Sequence, residues 1–365
     1  MSILLFLLIL SILVLVHELG HFLIAKKNGV LVEEFGIGFP PRLFGLKIGE
    51  TRYSINLIPL GGFVKLYGEE YNEINQKNTK DNQNKIKPTQ NLKNKAFAYK
   101  HPWQKIMIII AGVVGNFLLG WFLISYLFIQ GVPIPAGKVI IEKVQDKSPA
   151  KKALLKPKDA IYSLKADKVY PIKTSADLIN LTKKFAGKEI VLYIERGKEK
   201  IQKTITPRKN PPKNEGSLGV VITSVIEKKY PWYQAPFYGL IHAASITQKI
   251  IAELTKTVFQ IITFKKPSVD VAGPIGIARF TSEAAKFGKN AVLELMALLS
   301  LNLAVVNLLP FPALDGGRLV FVIYELLTKK RVNKKLESYL NLFGFIFLIT
   351  AAILISINDI IKIYR

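Results

Sequence analysis

Apolar residues in this chain gather in long unbroken runs, not in the short alternations of a soluble core. Residues 3–16 (ILLFLLILSILVLV) carry no charge, and apolar character resumes after residue 21. A helix over about 3–25 is therefore expected, just long enough to span a bilayer. Runs at 106–130, 291–309 and 339–357 predict three further crossings. The expected fold is a polytopic α-helical membrane protein with four transmembrane helices. No basic stretch precedes the first run and no small-residue cleavage site follows it, so this span is expected to stay in the mature protein.

Between the spans the pattern changes character four times. Residues 31–68, after a first segment at 1–30, mix Gly and Pro with short alternating apolar runs, which predicts β-hairpins with a face dipping into the membrane. Residues 69–100 turn to Asn, Lys and Gln and read as a solvated insertion too polar to order itself. After the second span (101–131), residues 132–212 alternate short strand-like runs with two helical ones, a small α+β domain. Ser148 before Pro149 is a helix start, and 175–185 is a second helix. Residues 213–290 hold an amphipathic helix at 233–264 and a connector, and 291–365 hold the last two spans.

Composition adds constraints. Half of the residues are hydrophobic and the mean hydropathy is +0.26, too apolar for an ordinary soluble enzyme. The absence of cysteine excludes disulfide scaffolds and every thiolate site, so any metal must use His, Asp or Glu. The net charge of +25 is most informative in the short connections. Lys26 and Lys27 at the end of the first span, and Arg318, Lys329, Lys330, Arg331, Lys334 and Lys335 between the last two, place both connections in the cytoplasm. Both termini and the 132–212 domain are then external. Basic residues in that domain are scattered without interleaved aromatics, so no nucleic-acid partner is expected. The residues carry no signal for an oligomeric state.

Chemistry enters at His17-Glu18-Leu19-Gly20-His21. Residues i and i+4 share a helix face, so His17 and His21 can aim ring nitrogens at one metal while Glu18 reaches a water beside it. Ionisable residues inside a span are costly and mark functional sites. Fourteen residues at ~1.5 Å each put the motif ~21 Å into a ~30 Å hydrocarbon core. A catalytic zinc takes three protein ligands, and Asp315 is the natural third. It follows the two prolines that break the third span, precedes Gly316 and Gly317, and lies at the same cytoplasmic end as the histidines. Glu294 and Asp359, the rival carboxylates, fall at external ends. Zn2+ suits this donor set best. A substrate helix must unwind before its carbonyls can react. A strand edge near Gly61 and Gly62, with the amides of Asn302 and Asn307, suits holding the extended segment. Bundle hydrogen bonding for the asparagines and a plain turn for the glycines are the competing readings.

These motifs resemble the site-2 proteases, intramembrane zinc metalloproteases, in particular those of the bacterial regulator-of-sigma-E type. The resemblance rests on HELGH at 17–21, AGVVGNF at 111–117, GPIGIARF at 273–280 and NLAVVNLLPFPALDGGR at 302–318. It implies His17, His21 and Asp315 as zinc ligands, Glu18 as the catalytic acid-base, and Asn302 and Asn307 as binders of substrate backbone. It also implies a membrane-dipping hairpin around 55–64. The 137–206 segment looks like the PDZ domain of such proteases, with Lys158 where Gly is usual, and Val113 replaces the usual Pro in the second span. The expected substrates are single-span proteins in the bilayer of a bacterial inner membrane, such as anti-sigma factors or residual signal peptides. The alternatives are a metal-binding membrane transporter, which predicts several intramembrane carboxylates and internal repeats where the sequence has one cluster and no repeat, and a non-catalytic membrane-anchored PDZ scaffold using the net charge, whose basic residues are scattered.

Overall fold

Runs of Leu, Ile and Phe leave the backbone one local way to satisfy its polar groups without water, and each forms a helix. The computed structural model describes residues 2–69, 90–212, 215–263, 265 and 272–363. Among these, Ile3–Lys27, Pro102–Gln130, Lys289–Leu308 and Lys335–Lys362 are long and apolar enough to cross a membrane, matching the four expected crossings. In chain order the elements are α1 (Ser2–Lys27), β1 (Val32–Ile48), β2 (Thr51–Leu66), α2 (Gln90–Lys95), α3 (Pro102–Gln130), β3 (Val132–Val144), α4 (Pro149–Lys152) and β4 (Ala160–Lys165). There follow β5 (Val169–Pro171), α5 (Ser175–Lys184), β6 (Ile190–Arg196), β7 (Glu199–Ile205), β8 (Val220–Lys228), α6 (Ala235–Ile262), α7 (Pro274–Phe287), α8 (Lys289–Leu308), α9 (Asp315–Thr328) and α10 (Lys334–Ile363). The chain divides into two compact units, residues 1–127 with 232–365, and residues 128–231.

The first unit holds the spans. Phe22 and Ala25 of α1, Val32, Leu66 and Ile108 form a buried cluster that joins the hairpin to two helices. Large apolar side chains such as Phe343, Ile346 and Leu354 on α10 are exposed, as they must be on a surface that meets lipid. The hairpin is more elaborate than a simple pair. The first half of β1 pairs on one side with 62–66 and on the other with 52–58, while its second half, 42–48, pairs with 51–56. Two long strands thus build a ribbon of four segments side by side, with 62–66 at one margin. Of the expected insertion, 70–89 lie outside the described residues, and 90–95 form a short helix.

The second unit is an antiparallel sheet in the order β7-β6-β4-β3-β8, with β5 paired to β4, around a core that includes Val139, Ile141, Ile161, Leu164, Leu178, Leu192 and Ile194. Both predicted helix starts are capped. Ser148 Oγ accepts from Lys151 N, and Thr174 and Asp177 form a reciprocal capping box. The unit runs past residue 212, the boundary expected from sequence, because β8 pairs with β3 from Val144↔Val220 to Val132↔Lys228. Lys158 takes a left-handed φ of 72°, a conformation that favours Gly. Next to it, Asp159 is fully buried and takes a two-point bond from Arg196, at 2.7 and 2.8 Å. Burial alone would raise the Asp159 pKa, but the bonds from Arg196 and from Lys156 N outweigh it and hold the carboxyl below its ordinary range.

Candidate active site

α1 carries the HELGH motif with His17 buried. Its two imidazoles meet edge to face, centroids 4.7 Å apart, and His17 Nε2 lies 3.1 Å from His21 Nε2. Asp315 Oδ2 completes the group, 2.8 Å from His17 Nε2 and 3.2 Å from His21 Nε2. Three donor atoms on a triangle of 2.8–3.2 Å edges match one face of a tetrahedron with ~2.0–2.1 Å bonds, whose edges are about 3.3 Å. The donor set therefore fits zinc, and it is the group of His, Asp and Glu able to hold a metal among the described residues. Glu18, half-buried and one residue round the helix from His17, lies within the electrostatic reach of all three.

Asp315 reaches this point because α8 ends at Leu308 and α9 starts afresh at Asp315. The prolines at 310 and 312 cannot continue the helix, and Ala313 turns the chain with φ 70°. A Cβ on Gly316 would sit 2.1 Å from Leu309 O, and one on Gly317 2.3 Å from Phe311 O. These glycines let the first turn of α9 press on the carbonyls at the end of α8 and in the connection that follows it. Two ion pairs fix α9 further. Arg318 pairs with Glu69 just after β2, and Glu325 takes a 2.8 Å bond from buried Lys105 on α3.

The second span closes the other side of the site. His21 Nδ1 lies 2.8 Å from Ile108 O, and His17 Nδ1 lies 3.3 Å from the Asn116 amide. Between these contacts sits Gly112, where a Cβ would fall 2.3 Å from His21 Nε2. Residues 108, 112 and 116 are one face of α3, and none of them is among the site residues that the sequence predicts. The available signal is Asn116 itself, an amide in the middle of an apolar span.

The expected substrate-binding residues separate. Asn307 Nδ2 lies 3.4 Å from His17 Nε2, beside the donor triangle, whereas Asn302 is exposed on α8. Gly61 and Gly62 are strand residues of β2, not turn residues. A Cβ on Gly61 would meet Val14 at 2.8 Å and one on Gly62 would meet Gly36 O at 2.8 Å, so both serve close packing of the hairpin, the first against α1. Asp359 lies away from the triangle, its Oδ2 accepting from Gly273 N and Gly276 N at 2.9 Å to cap α7.

Known proteins are similar in sequence to this chain along nearly its whole length. A protein of Clostridium perfringens described as a zinc metalloprotease is 34% identical over 353 residues, covering 96% of each chain. The regulator of sigma-W protease RasP of Bacillus subtilis is 29% identical over 423 aligned residues, and the zinc metalloprotease RasP of Bacillus licheniformis 30% over 429, each covering 98% of both chains. Residues 5–351 match the model of peptidase family M50, a range that starts ahead of HELGH and runs past Asp315, and the chain therefore belongs to that family, the site-2 proteases.

Proposed function

We propose that this chain is an intramembrane zinc metalloprotease that hydrolyses peptide bonds within or near the transmembrane segments of single-span proteins. The observation that carries this reading is the convergence of His17 Nε2, His21 Nε2 and Asp315 Oδ2 on one point, two of them from inside a span, with Glu18 beside them. His17, His21 and Asp315 would hold the zinc. When bound, zinc supplies a Lewis acid that polarises the scissile carbonyl and acidifies water. The Glu18 carboxylate takes a proton from the attacking water and passes it to the leaving amide nitrogen, which releases a carboxyl and an amine. Asn307, next to the triangle, and Asn302, open on the same helix, would donate to the substrate backbone, and the 62–66 margin of the hairpin near Gly61 and Gly62 would present its edge.

The surroundings follow from the same reading. The exposed Leu43, Phe44 and Ile48 of the hairpin suit a segment that dips into lipid. The basic connections place the site near the cytoplasmic face of a bacterial membrane, with the 128–231 unit outside as a PDZ-like domain. RasP of Bacillus subtilis carries a sigma factor in its name, which makes a membrane-bound regulator of transcription the leading class of substrate, with residual signal peptides next. The test is reconstitution in vesicles with a single-span substrate and mass spectrometry of the products. A cut within the span or at its edge is expected. Cleavage confined to the aqueous portions, or zinc uptake by the vesicles without cleavage, would overturn the reading.

A further inference from the structure

The two histidines of the triangle are held from behind by the second span, and the two holds differ in kind. Ile108 O, 2.8 Å from His21 Nδ1, is a carbonyl and can only accept. The His21 proton therefore sits on Nδ1, and Nε2 offers its lone pair to a metal. His17 Nδ1 faces an amide instead, the Asn116 side chain at 3.3 Å, which can donate through Nδ2 or accept through Oδ1.

The two choices have opposite consequences for zinc. If Nδ2 donates, His17 Nδ1 is the acceptor, the ring proton moves to Nε2, and the atom aimed at the triangle is an N–H that cannot bind metal. If Oδ1 accepts, the proton stays on Nδ1 and Nε2 is free. Asn116 is fully buried, and with Nδ2 toward the ring its Oδ1 is left without a partner. The two orientations exchange Oδ1 and Nδ2, so burial alone does not choose between them, whereas metal binding does: a ligand Nε2 needs the proton on Nδ1, and Asn116 Oδ1 is then the acceptor within reach of that proton. The site is also held in place, since Asn116 O accepts from the buried Ser300 Oγ at 2.8 Å, which binds this turn of α3 to α8.

We propose that Asn116 is a positioning residue for the metal site, its Oδ1 accepting the His17 Nδ1 proton so that Nε2 is a ligand. This rests on the zinc site described above. Ile108 and Asn116, two turns apart on α3 with Gly112 between them, then do the same work for the two histidines. Asn116→Asp keeps an isosteric acceptor and forms a carboxylate–histidine pair of the kind that supports zinc ligands. Asn116→Leu keeps the size and removes the acceptor, and Asn116→Ala removes it with less steric risk.

The experiment is competition for zinc between a chromophoric chelator and full-length protein in detergent, for wild type, the three Asn116 variants and His17→Ala. Zinc affinity is expected to fall about 10- to 100-fold in N116L and N116A and to stay within about threefold of wild type in N116D. The same order is expected in the intensity of the visible bands of the cobalt-substituted protein, which a loss of packing alone would not set. If N116L does not yield folded protein, N116A against N116D carries the comparison. N116A or N116L binding zinc as tightly as wild type, or N116D binding as weakly as N116L, would overturn the assignment alone. Wild type that binds no zinc, or H17A that binds it normally, removes the site itself.

Discussion

Substituting Gly112 by Ala adds one methyl group at the place where the two histidines leave least room. The new Cβ falls 2.3 Å from His21 Nε2 and 2.7 Å from His17 Cε1, against 3.4–4 Å for an ordinary contact. The backbone of α3 is fixed by its own helical bonds and cannot withdraw cheaply, so the imidazoles must move. His21 is short of an ordinary contact by about 1.1 Å. The triangle has edges of only 2.8–3.2 Å, and zinc–nitrogen bonds of ~2.0–2.1 Å do not stretch by such an amount. Misplacement by ~1 Å costs roughly 10²-fold in rate, and loss of ligand orientation roughly 10- to 100-fold in metal affinity. Gly120→Ala is the matched control, because its Cβ would meet Leu301 at 2.7 Å on the same helix but away from the imidazoles. Chelator competition, substrate cleavage and thermal unfolding should be measured on both. G120A is expected to lose stability and keep zinc, and G112A to lose zinc and cleavage together. G112A with wild-type zinc affinity and cleavage rate would refute the close packing of α3 beneath the histidines.

Two further outcomes concern the 128–231 unit, measured on that segment alone. Asp159, held below its ordinary pKa by Arg196, contributes stability that is present above the unfolded carboxylate value of about 3.9 and is lost as pH falls through the folded value. Asp159→Asn should therefore lower stability at pH 7 by on the order of 1.5–3 kcal/mol and flatten the loss of melting temperature below about pH 4, and parallel melting curves against pH in both proteins would contradict this. Lys158→Gly should stabilise by about 0.5–1 kcal/mol, since relief of the left-handed φ outweighs the added freedom of glycine when unfolded, and a lower denaturant midpoint would contradict it.

Local pattern and tertiary context contributed unequally to what the sequence revealed. Spans are legible because their apolar runs exceed any soluble strand or helix, and HELGH is legible because i, i+4 spacing is a local property of α1. Asp315 was reachable through topology, since the charged loops put it at the same membrane side as the histidines. Asn116 was not, because its contact with His17 lies across 99 residues and only the packing of α3 on α1 makes it. β8 read as a connector because it follows a Pro- and Lys-rich stretch and earns its place by pairing with β3, a strand from the other end of the unit. The packing role of Gly61 and Gly62 is hidden for a related reason, as the residues that exclude a side chain there, Val14 and Gly36, are distant in sequence. The double pairing of β1 depends on register shifts that no alternation records.

The central claim is that His17, His21 and Asp315 hold the zinc while Glu18, not a ligand, moves the proton. It is tested most directly by measuring bound zinc and substrate cleavage on one preparation of Glu18→Gln. One zinc per chain is expected, with hydrolysis of a single-span substrate reduced by about 10²- to 10⁴-fold. Zinc lost from E18Q, or cleavage at the wild-type rate, would contradict it.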